Sequence, residues 1–156
     1  FYLGGFFMYQ KEILLNGKLL GVLNSRNDDS FSSLDGELDL KGLKCFVSLG
    51  ANKNWSQEDS YEVFKKFYDN FNSWNEELKT SIANELLELA SSWFMELKNR
   101  DITREEFLYC IQLKEVFVKP NGKLVFCFDD DDIFMGNTII VETDINKTFK
   151  IVDIWG

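Results

Sequence analysis

The sequence predicts an α+β fold: an antiparallel sheet with three helices inserted between an N-terminal and a C-terminal block of strands, the helices packed on one face. Three observations predict it. Apolar residues alternate with polar ones before residue 50, recur every three or four residues between 56 and 112, and alternate again from 115 onward. Segregated blocks of this kind are typical of α+β proteins rather than of parallel α/β sheets.

The 156 residues are expected to form one domain, 1–156, in which residues 1–17 are an irregular lead or an extra strand. The first clear strand is predicted at Lys18–Asn24, and a loop is predicted over the polar segment 24–33. Leu38 and Leu40 alternate with acidic residues and predict a half-solvated strand. Lys41 and Gly42 then turn the chain into a partner strand at 43–49.

Two shorter helices flank a long one. Ser56 with Asp59 predicts a cap for the first helix, and Thr103 with Glu106 predicts a capping box for a third helix at 104–112. The long helix is predicted over 73–98. Ser73 and Glu76 are expected to form its capping box, and the face expected to pack across the sheet carries Ile82, Leu86, Leu89 and Trp93.

The period of two returns after the third helix. Strands are predicted at 115–119 and 123–128 around the turn Pro120-Asn121-Gly122, since proline fixes φ and Asn-Gly favours a tight reversal. The second of these strands is apolar on both faces, which favours the middle of a sheet. Segments 137–142 and 148–155 are expected to form a last hairpin.

The charge balance restricts the classes of partner. The net charge is −9, whereas a nucleic-acid binder needs a basic surface against phosphate, and binding to an anionic membrane is disfavoured for the same reason. An acidic surface favours solubility or a basic protein partner. No stretch of the sequence is long and apolar enough to predict a transmembrane helix.

Residue types that dominate catalysis are scarce. The chain has no histidine, which excludes Ser-His-Asp and Cys-His catalysis and histidine-based zinc sites. Cys45, Cys110 and Cys127 are far apart and lie in hydrophobic surroundings, so we expect three buried free thiols and a cytoplasmic location. No phosphate-binding glycine loop occurs. No catalytic or cofactor-binding residue is therefore predicted.

The acidic run Asp129–Asp132 is the one candidate metal site. Carboxylates on a loop suit Ca²⁺ or Mg²⁺, and alternate residues such as Asp129 and Asp131 are the ones that could converge on one cation. The EF-hand pattern fails because Ile133 stands where a third oxygen ligand is needed. We expect a solvated acidic loop that binds no metal tightly.

Several segments resemble a bacterial family of unknown function, DUF2262. The resemblance rests on four segments: the acidic run Asp129–Asp132 with the strand that follows it through Val141, the opening Leu20-Gly-Val-Leu, the helices around Trp93, and Thr103-Arg-Glu-Glu-Phe107. The resemblance covers about residues 18–156. Asn137 stands where that family often has histidine, so an acid–base role there could not hold. The resemblance implies a small bacterial cytosolic domain and supplies no catalytic residue.

Three functional hypotheses follow from these observations. The first is a non-enzymatic protein-interaction module with a basic partner, one version being an immunity protein that neutralises a toxin. The second is a small-molecule-binding domain with an aromatic pocket. The third is a carboxylate- or metal-dependent enzyme that uses the Asp129–Asp132 loop. The sequence favours the first and leaves the oligomeric state open.

Overall fold

The computed structural model describes residues 2–3, 6–7, 9–27, 31–131, 133 and 137–155, of which 2–3, 6–7 and 151–155 are described by backbone alone. In this part of the chain the α+β class is confirmed, with an eight-stranded sheet and three helices. A separate pair of short strands, β1 (Tyr2–Leu3) and β2 (Phe6–Phe7), lies near the start.

After β2, the described part of the chain runs through four strands, three helices and four strands in that order. The elements after β2 are β3 (Gln10–Leu15), β4 (Lys18–Asn27), β5 (Ser32–Leu40), β6 (Leu43–Ala51), α1 (Gln57–Asp69), α2 (Phe71–Lys98), α3 (Arg104–Cys110), β7 (Gln112–Val118), β8 (Leu124–Asp129), β9 (Thr138–Thr143) and β10 (Lys150–Trp155). The spatial order of strands, β10-β9-β8-β7-β6-β5-β4-β3, follows the sequence, and among these described strands only β6 and β7 pair in parallel. The helices supply the crossover that a parallel pair needs.

Two details of the N-terminal block differ from the sequence-based expectation. Strand β4 continues to Asn27 and β5 begins at Ser32, so the polar loop expected over 24–33 is wrong at both ends. Ladder pairing of Asn24 with Asp35 and of Arg26 with Ser33 explains the extension, because cross-strand hydrogen bonds override the weak strand propensity of polar residues. The extra strand is β3, at the edge of the sheet.

The start of the long helix also differs. Helix α2 begins at Phe71 after Asn70 alone, with no side-chain cap, so the predicted capping box at Ser73 is wrong. The rings of Phe67 and Phe71 lie 5.6 Å apart, and Phe71 is buried. Burial of that ring outweighs a cap, which contributes only about 1 kcal/mol. Ser56 Oγ accepts from Asp59 N and Thr103 Oγ1 accepts from Glu106 N, so both predicted N-caps are present. The reciprocal bond of a capping box is present at Ser56, whereas the Glu106 carboxylate accepts from Arg100, so the box predicted at Thr103 is incomplete.

The core lies between the helices and one face of the sheet. Phe126 of β8 is fully buried and contacts both Phe67 of α1, at 5.2 Å between ring centroids, and Trp74 of α2, at 5.9 Å. Ile82 and Leu86 are buried as predicted. Trp93 is partly buried and packs against this core. Leu89, in contrast, is 39 % exposed, so the predicted packing face is wrong at that residue.

The large exposed apolar side chains of α2 lie mainly in the part of the helix that extends beyond the buried core. No residue of α2 after Ala90 is buried. A 28-residue helix is about 42 Å long, so its last turns project past the core. The apolar period continues through Leu97, which is 51 % exposed, and this continuation is what misled the sequence-based prediction.

Candidate functional site

The acidic run after β8 is not a uniformly solvated loop. Asp129 is exposed and ends the strand, whereas Asp130 is completely buried. The backbone then turns, since Ile133 N donates to Asp130 O at 3.1 Å and Asp131 has a φ of 50°. The expectation of a solvated loop is therefore wrong for Asp130, and Asp132 lies outside the described residues. A buried carboxylate is costly unless it has polar partners, so Asp130 belongs to the structure of the turn.

Asp129 and Asp131, the two candidate metal ligands, do line one cleft. The cleft has a volume of about 450 Å³ and is also lined by Lys79 of α2, Tyr109 and Cys110 of α3, and Ile111 and Gln112. Asp131 N lies 3.4 Å from Asp129 Oδ1, so the first carboxylate accepts a bond from the second residue's backbone. Within the described ranges, which omit 132 and 134–136, no three acidic or cysteine side chains are placed to hold a metal ion.

Two other groups in this cleft have pKa values shifted by burial. Burial raises the pKa of the Cys110 thiol, and the negative charges of Asp131 and Glu106 raise it further. A protonated thiol is a poor nucleophile. Lys79 Nζ donates to Leu108 O at 3.3 Å, and burial lowers its pKa. The positive charge of its ammonium would repel a cation bound in the cleft and would attract an anionic group of a small ligand.

A second groove lies between the exposed part of α2 and the segment before α3. Its volume is about 650 Å³, and its lining includes Leu87, Met95 and Ile102. Four of its polar side chains are bonded in two pairs: Ser91 donates to Asp101, and Arg104 donates to Asn84 at 2.9 Å. The bond from Ser91 is the main reason that the pKa of Asp101 is lowered. These contacts hold α3 against α2.

The sheet face opposite Phe126 is different from both of these clefts. Its central row runs across five strands from Glu37 on β5 through Phe46, Glu115 and Cys127 to Ile140 on β9. Directly paired residues lie on the same side of a sheet, so these five side chains share one face. We call the side chains of this row, together with the next row along, the open face.

The next row of the open face contains a second ring. Asp35, Ser48, Phe117, Val125 and Glu142 are paired in that order across the same strands. The rings of Phe46 and Phe117 lie 6.0 Å apart with an interplanar angle of 59°, and Phe46 is 37 % exposed. The open face therefore has an apolar centre bordered by carboxylates.

The carboxylates of the open face differ in their partners. Glu142 is paired with Lys119 at 3.1 Å and Lys123 at 3.8 Å, and Asp35 accepts a bond from Ser48 Oγ at 2.6 Å. Within the part of the chain that the structure describes, Glu37 and Glu115 make no salt bridge. The open face thus has, on either side of Phe46, one carboxylate that makes no salt bridge with a described residue.

Cys127 lies under these groups with its thiol protected. Burial raises its pKa to about 12, and a hydrogen bond to Glu115 contributes to the shift. Cys45, on the opposite face of the sheet, also has its pKa raised to about 12 by burial. All three cysteines are free as predicted, and Cys45 and Cys127 are buried, but Cys110 is only half-buried, so the prediction is wrong for that residue.

Sequence reasoning did not find the open face. The alternation along β8 places Val125 and Cys127 on one side of the strand and Phe126 on the other, as the register shows. The meeting of Glu37, Phe46 and Glu115 depends on the parallel pairing of β6 with β7, which joins residues 69 positions apart. No local pattern signals such a pairing.

Comparison with known proteins identifies a family and nothing further. Residues 18–154 match DUF2262, described as an uncharacterized protein conserved in bacteria. No curated protein and no solved structure matches the chain. No helix of the described residues is long and apolar enough to cross a membrane.

Proposed function

Because the chain belongs to the bacterial DUF2262 family, whose description assigns no activity, we propose its function from its own surface. The chain is a non-enzymatic protein-interaction module, and its open face binds a basic protein partner. The observation that carries this proposal is the apolar centre of the open face, which is bordered by Glu37 and Glu115, two carboxylates without a salt bridge to any described residue. Interfaces of this kind combine an apolar centre with a charged rim.

The charge of the whole molecule supports the same class of partner. With a net charge of −9, the chain repels nucleic acid and anionic membranes and attracts basic proteins over distances near the Debye length. An immunity protein that blocks a basic toxin is the specific version we favour. Such a protein needs affinity and fast association rather than catalytic groups, and acidic residues raise the association rate.

Affinity capture with matched charge reversals tests this proposal. Wild-type chain is immobilised beside Glu37→Lys/Glu115→Lys and beside the control Glu85→Lys/Glu88→Lys, which makes the same charge change on exposed positions of α2. We expect a basic protein that is retained by wild type and control and lost by the open-face variant. Its purified form should bind the chain directly, and the gene for it should lie beside the gene for this chain.

Two results would contradict the proposal. If both double variants lose the captured protein equally, the net charge matters and the open face does not. If no basic protein binds the purified wild-type chain, the interaction function is wrong. Each variant's melting temperature is measured first, so that loss of binding is not confused with unfolding.

The cleft at Asp129 and Asp131 favours a second candidate, binding of a small molecule. It places Lys79 opposite two carboxylates in about 450 Å³, which suits a ligand that carries charges of both signs. A carboxylate- or metal-dependent enzyme at the same place is disfavoured by Lys79.

Calorimetric titration with Ca²⁺, Mg²⁺ and Mn²⁺ should show no specific heat. A saturable isotherm abolished by Asp131→Asn would put the enzyme first.

A further inference from the structure

The open face contains one position where the chemistry of the partner can be specified. Phe46 lies directly between Glu37 of β5 and Glu115 of β7 in the same row. Neighbouring strands are about 4.8 Å apart, so the two glutamates start roughly 10 Å from each other on either side of the ring. Their flexible side chains can therefore reach a single group that lies over Phe46.

Resting on the proposed function, we propose that the partner places an arginine side chain on Phe46, with its guanidinium bonded to Glu37 and Glu115. A guanidinium is planar, stacks on aromatic rings and donates several hydrogen bonds in a fixed fork. It therefore satisfies the ring and both carboxylates at once. The ring of Phe117, whose centroid lies 6.0 Å from that of Phe46 at an interplanar angle of 59°, borders the same position. We call the side chains of Glu37, Phe46, Glu115 and Phe117 the arginine seat.

The two glutamates are free to accept these bonds. Glu37 is exposed and has no salt bridge within the described residues, and Glu115 accepts a bond from the Cys127 thiol. A carboxylate accepts up to about four hydrogen bonds, so Glu115 keeps capacity for a partner. Glu142, which is already paired with Lys119 and Lys123, is the contrasting case on the same face.

Other occupants fit this seat less well. A lysine ammonium is a compact and strongly hydrated charge that gains little from a flat ring and two separated acceptors. A divalent cation needs six or more converging oxygens, and the seat has two flanking carboxylates around an apolar ring. An anionic ligand is repelled. The arrangement thus selects arginine over lysine.

Nona-arginine and nona-lysine peptides are suitable probes, because they have equal charge and differ in the cationic group. Binding to the isotopically labelled full chain is followed by nuclear magnetic resonance at low and moderate salt. We expect nona-arginine to bind about fivefold or more tightly than nona-lysine and to shift the ring signals of Phe46 and Phe117. Equal affinities without ring shifts would overturn the proposal.

Variants separate the ring from the charges. Phe46→Leu keeps an apolar side chain at an exposed position, and it should reduce the preference for nona-arginine to about onefold. Glu37→Gln with Glu115→Gln should weaken nona-arginine binding about tenfold, whereas the control Glu85→Gln with Glu88→Gln should stay within about twofold of wild type. A preference retained in Phe46→Leu would overturn the arginine seat.

The outcomes distinguish this inference from the proposed function. If the open-face glutamine variant weakens both peptides and Phe46→Leu changes neither, the arginine seat is wrong and an acidic docking face remains. If the α2 control weakens binding as much as the open-face variant, then both proposals fail. Melting temperatures within about 2 °C of wild type establish that the variants are folded.

Discussion

Two neighbouring rows of side chains on strands β6 to β9 point to opposite faces of the sheet and lie in different environments. Val47, Val116, Phe126 and Val141 form one row and are fully buried beneath the helices. Phe46, Glu115, Cys127 and Ile140 form the other row, one residue away along β6 and β9. Successive side chains of a strand point to opposite faces, so a shift of one residue separates core from surface.

The difference shows what each face contributes. The buried row carries only apolar groups and gains its free energy from burial, which depends on the volume of its side chains. The open row mixes carboxylates, a thiol and an aromatic ring, a composition that adds little to packing. Aromatic residues occur in both rows, so aromatic content alone does not reveal which row is buried beneath the helices.

The largest expected contrast is between Phe126→Ala and Phe46→Ala. Phe126 is enclosed by Phe67 and Trp74, and its removal should lower the free energy of unfolding by about 3–5 kcal/mol. Among the described residues Phe46 packs against one ring, that of Phe117, and its removal should cost less than about 1.5 kcal/mol. Urea unfolding midpoints measure both. Equal costs would mean that the open face is covered in the folded protein.

The same contrast exists along α2. Leu86→Ala should cost about 2–5 kcal/mol, because this side chain is buried and leaves a cavity. Leu97→Ala should change stability by no more than about 0.5 kcal/mol, since its side chain lies beyond the core. Melts followed by circular dichroism compare the two variants. A large loss for Leu97→Ala would show that the end of α2 is packed.

The acidic turn supplies a smaller contrast between adjacent residues. Asp130→Asn should destabilise the fold by about 1–3 kcal/mol, because it changes the polar group of a fully buried side chain. Asp131→Asn should be neutral or slightly stabilising, since asparagine tolerates the positive φ there and one of several like charges is removed. Thermal melts at low salt test the pair.

Thiol reactivity should follow burial in the order Cys110, then Cys45 and Cys127. A pKa of about 12 leaves about a thousandfold less thiolate at pH 8 than the ordinary value of 9.0. Raised thiol pKa values stabilise the protonated fold below pH 9, and this stabilisation is lost as the pH rises toward 12. Iodoacetamide labelling with mass spectrometry gives the order. Rapid labelling of Cys127 at neutral pH would contradict it.

Much of the fold could be predicted from the sequence, because local periods and caps determine most of its elements. The turn at Gly122 and the cap at Ser56 were found this way, as was the buried stripe through Ile82. The exposure of Leu89 was missed, since the helical period does not reveal where neighbouring elements end. The burial of Asp130 was missed because only the folded turn creates it.

The candidate site was predictable only in part. Asp129 and Asp131 were singled out and do share a cleft, but the open face requires pairing of Phe46 with Glu115 across the parallel strands. Local patterns are blind to such long-range registers, which depend on the three helices that connect the strands.

The central claim is that the open face, and not the net charge, binds the partner. The most direct measurement is the association rate of the purified basic partner with three chains: wild type, Glu37→Gln/Glu115→Gln and the α2 control Glu85→Gln/Glu88→Gln. At low salt the open-face variant should associate several-fold more slowly than the control, and the difference should shrink at high salt. Equal rates for the two variants would contradict the claim.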